Sequence, residues 1–142
     1  MFTLLFAPPL TSVCRMRSSQ VDAGDDRVLV TFDREPVEMP PGLDDHIRRH
    51  LGARGKASYA SRDNGWLFPG GIPSRQLQTE NVRAQLVELG IKPHDNRKTA
   101  LFQLAATIPT PVLADLVGIS SNTAVRWATL TSRSWSACIA QR

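Results

Sequence analysis

Leu113-Ala114-Asp115-Leu116-Val117-Gly118-Ile119-Ser120, followed by Asn122-Thr123-Ala124-Val125-Arg126-Trp127, decides how the last third of this chain folds. The small Ala114 lets two helices approach, Gly118 supplies the turn between them, and Ala124 and Trp127 face back into the core, which is helix-turn-helix form. Tight helical corners with a glycine also occur in all-α packing without any nucleic acid, so the corner alone does not choose between the two. Helix is expected over 110–128, and 129–142 reads as a tail. In that tail the Ser and Thr of 129–136 form a loop and N-cap region, and Trp135, Cys138 and Ile139 mark a short final helix.

Upstream, Leu101, Leu104 and Ala105 with Phe102 give an amphipathic helix over 95–107, started by Asp95 or Asn96 and stopped before Pro109. A further helix spans 79–90, with Thr79 as N-cap, Val82, Leu86 and Leu89 on one face, and Gly90 in the left-handed closing position. Trp66-Leu67-Phe68 is a short extended core segment that feeds Pro69-Gly70-Gly71. Leu43, Ile47 and Leu51 recur at helical spacing until Gly52 and Gly55 close that helix. Before it, 27–41 forms a hairpin in which Val28, Val30 and Phe32 alternate, Asp33-Arg34-Glu35-Pro36 turns, and Val37 and Met39 return. The fold class is therefore mainly α with a small antiparallel β-hairpin or sheet.

With 142 residues and 15.7 kDa the chain has room for one modest domain, 1–142. Its 42% hydrophobic, 21% charged and 6% aromatic residues exclude wholesale disorder. Every apolar run is broken by charge, Pro or Gly well short of the ~20 residues a membrane span needs. The opening Met1-Phe2-Thr3-Leu4-Leu5-Phe6-Ala7 lacks a preceding basic residue and meets Pro8-Pro9 early, so it reads as part of the fold and not as an export signal. Cys14 and Cys138, at opposite ends, make neither a disulfide framework nor a metal set, and a reducing cytoplasm is the expected location. The net charge of +4 is unevenly spread: residues 1–45 hold four arginines against eight acids, and the remainder thirteen bases against five acids. The positive potential belongs to the C-terminal two thirds and suits a polyanionic partner.

Few constellations carry chemistry. His46 and His50 stand four apart on a helix, but no further metal ligand follows at a recognisable spacing, so a solvated face is the reading. Gly70-Gly71 lacks the Lys-Ser/Thr of a phosphate loop. Pro93-His94-Asp95-Asn96-Arg97-Lys98 is different, because His94 and Arg97 present an imidazole and a guanidinium on adjacent turns at a helix start. Arg can grip two phosphate oxygens at once, His can hydrogen-bond or move a proton, and the helix end adds positive potential.

Taken in order, the hairpin, a helix, Trp66-Leu67-Phe68-Pro69-Gly70, a second helix, His94-x-x-Arg97, and Leu116-x-Gly118 followed by Asn122-Thr123-Ala124-Val125-Arg126-Trp127-Ala128 resemble the C-terminal catalytic domain of phage-integrase-type tyrosine recombinases. The resemblance runs over almost the whole chain. It implies an integrase-like fold, a double-stranded DNA partner, and a role in DNA integration and recombination that needs no metal and no nucleotide cofactor. Family members cut one strand with a tyrosine while two arginines, a lysine, a histidine and a His/Trp position surround the phosphate. Here His94 and Arg97 match the motif, but Thr11 stands at the first arginine position, Ile119 at the His/Trp position and Trp127 at the nucleophile position. The hairpin lysine has no counterpart; Arg34 lies in the turn, and its guanidinium cannot serve as the acid a lysine can be. Tyr59, the sole tyrosine, lies far in sequence from the nucleophile position. A chain without strand-cleavage activity is the expectation.

The family's catalytic domain begins before the position of Met1, so the resemblance also implies a fold incomplete at its N-terminus. Leu4, Leu5 and Phe6 would then be left exposed, with self-association or pairing with recombinase subunits as the consequence. Three functions follow. In the first, Arg97, Lys98 and Arg126 hold duplex phosphates, the chain is nucleoid-associated, and His94, Arg97 and Trp127 gather around one concave pocket. In the second, a helix-turn-helix regulator, Ser121, Asn122 and Arg126 meet base edges from a protruding helix. The third is an interaction protein or a recombinase relic with no nucleic-acid role, whose basic surface only solubilises it.

Overall fold

Proline sets the first corner of the chain. Helix α1 (Phe2–Phe6) ends at Ala7 because Pro8 and Pro9 offer no N–H to continue it, and α2 (Leu10–Cys14) starts beyond them. Ala7 is left in the left-handed region at φ 58°, ψ 18°, a conformation that costs a non-glycine residue ~1–2 kcal/mol. The computed structural model describes residues 1–54, 65–72 and 74–140, with side chains through 133.

After a 3-10 turn at Ser18–Gln20, β1 (Val21–Ala23), β2 (Val28–Thr31) and β3 (Pro36–Glu38) form an antiparallel sheet in the order β1-β2-β3. Val30 pairs with both Val21 and Val37, and the Met39 N–H extends the ladder by donating to the Val28 carbonyl. The expected hairpin is present, with Pro36 opening β3 and not closing the turn. Strand β1 was not expected: its three residues are mostly exposed and carry no apolar alternation, so only pairing with β2 makes it a strand.

Helix α3 (Leu43–Ala53) buries Leu43 and Ile47 and runs through Gly52, which does not end it; Gly55, the other glycine expected to close it, lies outside the described residues. Helix α4 (Thr79–Glu88) buries no residue completely, and Leu89 is exposed beyond its end, so the third position of its expected apolar face is in water. Thr79 is the first helical residue and does not cap the helix; Gln78 takes the cap position and makes no side-chain cap bond. Gly90 follows at φ 76° as expected.

Helix α5 (Pro93–Thr107) begins two residues before the expected Asp95 start. Proline at the first helical position lacks only an N–H that would be orphaned there and presets φ, so the helix starts on it. Helix α6 (Thr110–Val117) turns at Gly118, φ 70°, into α7 (Ser121–Ala140), whose first turn is capped by the Ser120 hydroxyl accepting from the Thr123 N–H. The corner is where the sequence put it, but the tail is not. Helix continues through 129–140, because Thr129, Thr131 and Ser132 donate their hydroxyls to the Val125 and Ala128 carbonyls and so satisfy themselves inside the helix.

Among the described residues the core has two clusters. The first joins the sheet to α3 through Val28, Val30, Ile47 and Leu67, with Phe2 of α1 edge-on to Phe32 at 5.4 Å. The second joins α5, α6 and α7 through Leu101, Leu113, Val117 and Ala124, with Ala7 fully buried in it. Helix α1 enters both. Of its outward residues only Leu5 is openly exposed; Phe6 stacks on Phe32 at 5.3 Å, so the expected bare apolar end is smaller than the sequence suggests. Among the described residues no helix is long and apolar enough to cross a membrane.

Leu113→Ala, which empties a fully buried site, should cost about 2–5 kcal/mol in urea unfolding. Gly118→Ala should cost ~1–2 kcal/mol, since its Cβ would be strained at φ 70° and meet Asp33 at 3.3 Å.

Candidate nucleic-acid interface

The early start of α5 puts His94 in its first turn and Arg97 one turn later on the same side, with Lys98 beside it. His94 and Lys98 are exposed, whereas Arg97 is half-buried. Its Nε donates a 2.7 Å hydrogen bond to the Ala7 carbonyl, ninety residues away at the left-handed end of α1. Among the described residues Nε alone has a partner, and neither Nη is a buried unsatisfied atom, so water reaches both. The guanidinium is fastened on its inner edge and open on its outer edge. Burial pushes its pKa down from the ordinary value, though an arginine stays charged at neutral pH.

A second cation stands at the α6–α7 corner. The β2–β3 turn docks there, with Asp33 so close to Gly118 that a Cβ would crowd its carboxylate carbon. Arg34 Nη1 lies 3.5 Å from Asp115 Oδ1 and its Nε 3.9 Å from Asp33 Oδ2, so two acids share its charge. Ile119, half-buried, follows Gly118 and packs against the second cluster.

On α7, Ala124 is fully buried and Trp127 packs half-buried against the second cluster, while Ser121, Asn122 and Arg126 are exposed. Thr11 is exposed on α2, and Tyr59 lies outside the described residues. A cavity of about 390 Å³ lies between α1, α2, α3 and α4, lined mainly by apolar side chains such as Phe2, Leu43, Ile47, Val82 and Leu86. His94, Arg97 and Trp127 do not line it, so the concave pocket expected around those three is not this one. His46 and His50 do line it, but each is engaged elsewhere: Arg49 Nη2 donates to His46 Nδ1 at 2.9 Å, and His50 Nε2 donates to the Leu67 carbonyl at 2.7 Å. Among the described residues no group of three His, Cys, Asp or Glu side chains could hold a metal ion.

Comparison with solved structures places this architecture. XerA recombinase superposes with a TM-score of 0.65 at 18% identity, covering 89% of this chain and 50% of that one. The chain has the fold of a recombinase, mostly helical with a small three-stranded antiparallel sheet. It spans half the length of the recombinase it matches. No protein-family model matches the sequence, and no curated protein does.

The Ala7 carbonyl is the site group that sequence reasoning missed. Pro8-Pro9 signalled that α1 must stop, but nothing local told which way its last carbonyl would point. The Arg34–Asp115 contact was hidden for the same reason, as the partners are 81 residues apart.

Arg97→Ala leaves the buried Ala7 carbonyl without its donor and should cost about 1–3 kcal/mol. Arg34→Ala, whose side chain is 77% exposed, should stay within about 0.5 kcal/mol of wild type in the same urea titration.

Proposed function

We propose that this chain is a DNA-binding module of tyrosine-recombinase descent, 1–142 acting as one integrase-like C-terminal domain that grips duplex phosphates and does not cut them. The observation that carries this reading is Arg97: in a recombinase fold, the arginine of His94-x-x-Arg97 offers a solvent-facing Nη pair, the geometry that donates to two oxygens of one phosphate. Lys98 and Arg126, both exposed, add positive charge on α5 and α7. Cleavage would require a nucleophile, and the position that the resemblance assigns to it holds the half-buried indole of Trp127. Thr11 lacks the positive charge of the arginine it replaces, and Ile119 has neither the hydrogen-bond donor nor the proton of the histidine it replaces. Duplex DNA, alone or with recombinase subunits, is the partner that this reading names, in a cytoplasmic, nucleoid-associated setting.

A second reading is favoured by the exposure of Ser121, Asn122 and Arg126 at the start of α7, just after a glycine corner. As a helix-turn-helix regulator the chain would read base edges with these side chains. Asn122→Ala would then change which base pairs are preferred, whereas phosphate gripping would leave the preference flat. A relic without nucleic-acid affinity is the outcome if neither occurs.

Binding to random duplex DNA should weaken steeply with salt, by about 0.9 in log–log slope for each phosphate contact. Arg97→Ala and Arg126→Ala should each flatten that slope by about one contact, and absence of binding by the folded protein at low salt would overturn the proposal. On a nicked duplex that traps covalent intermediates, no protein–DNA adduct should form; a Tyr59-dependent adduct would reverse the assignment of inactivity.

A further inference from the structure

An alanine in the left-handed region is uncommon, and one directly before proline is more so, because the proline ring disfavours helical conformations in the residue that precedes it. Ala7 occupies both situations at once, with φ 58° and Pro8 next in the chain. It is also fully buried, so it has no room to relax outward. Strain of this kind persists only where the surroundings over-determine it. Here they do: α1 packs along α5, Pro8 and Pro9 fix the exit direction, and the Ala7 carbonyl points at Arg97 Nε at 2.7 Å.

We propose that the Ala7-Pro8-Pro9 corner is a positioning device for Arg97, holding the inner N–H of the guanidinium so that its outer Nη pair meets a DNA phosphate in a fixed plane. This deepens the phosphate-gripping function proposed above and rests on it. A guanidinium on a free arginine stem must be ordered when it binds, whereas one tethered at Nε is already oriented, and its planar fork then sets the direction of the phosphate. The tether also sets the division of labour at the start of α5. His94 and Lys98 are exposed and attract by charge or hydrogen bond from mobile stems, while Arg97 alone is held. A lysine at position 97 would keep the charge but has neither an Nε–H to tether nor a fork to present.

The test uses the full chain and a random-sequence duplex, with wild type, Arg97→Ala, Arg97→Lys and the double variant Pro8→Gly/Pro9→Gly. In nitrogen-15 NMR of the free protein, the Arg97 Nε–H should exchange with water at least tenfold more slowly in wild type than in the double-glycine variant. Duplex affinity of that variant should fall and its salt slope flatten by about one contact, matching Arg97→Ala, and adding Pro8→Gly/Pro9→Gly to Arg97→Ala should cause no further loss. Arg97→Lys should not restore the wild-type slope. Should the double-glycine variant unfold, Pro8→Ala, which removes the ring that fixes the exit from Ala7 and adds no glycine, takes its place with the same two readouts. Equal Nε–H exchange in wild type and corner variant, or an undiminished slope in the corner variant while Arg97→Ala loses a contact, overturns the positioning role and leaves phosphate gripping intact. An undiminished slope in Arg97→Ala itself overturns both.

Discussion

The hydrogen bond from Arg97 Nε to the Ala7 carbonyl sits where the two halves of the core meet. Phe2, at one end of α1, belongs to the cluster built on the sheet and α3; Ala7, just past the other end, belongs to the cluster of α5, α6 and α7. Five residues of helix are too few to be stable alone, so α1 exists because both clusters hold it. The arginine bond fixes its angle between them. Any change that turns α1 would therefore shift Phe2 against Phe32 and Ala7 against α5 together. The same bond holds one edge of the Arg97 guanidinium against the fold.

A second joint reinforces the first. The β2–β3 turn from the sheet half reaches the α6–α7 corner of the helical half, and Asp33 fills the space that a side chain on Gly118 would need. The glycine is required twice, by its left-handed φ and by that close approach. The Arg34–Asp115 pair over the joint is exposed and contributes little stability, but it fixes where the turn's charge lies.

Much of this was legible because it is encoded locally. Alternating Val28 and Val30 mark a strand with one buried face, and Ala114, Gly118, Ala124 and Trp127 specify a helical corner through size, backbone freedom and spacing. The Arg97 side of the candidate site was legible too, as His94-x-x-Arg97 is a short pattern on one helix. What sequence reasoning missed depends on partners far along the chain or on competition between local preferences. Strand β1 is a strand only because β2 lies beside it. Serine and threonine at 129–132 favour caps and loops when their hydroxyls have no helical carbonyl to bond, and here those carbonyls are supplied by the helix itself. Thr79 was expected to cap α4, but the helix starts on it and Gln78 takes the cap position.

Binding a phosphate and cleaving a phosphodiester make different demands on the same surface. Holding needs fixed charge and hydrogen-bond donors in reach of solvent, and a single tethered arginine already provides both. Cleavage needs a nucleophile, a proton donor and several cations acting on one transition state, and such groups act as a unit, so losing one removes most of the rate. Among the residues that the resemblance assigns to that unit, Thr11, Ile119 and Trp127 bring no charge, and Ile119 and Trp127 both lie against the second cluster. The indole at 127 now belongs with Ala124 and Leu113 as part of what holds α7 to the body. Arg97 is placed differently. Its inner edge is bonded to the fold and its outer edge stays open to solvent, so one side chain joins the packing of α1 to the surface of α5.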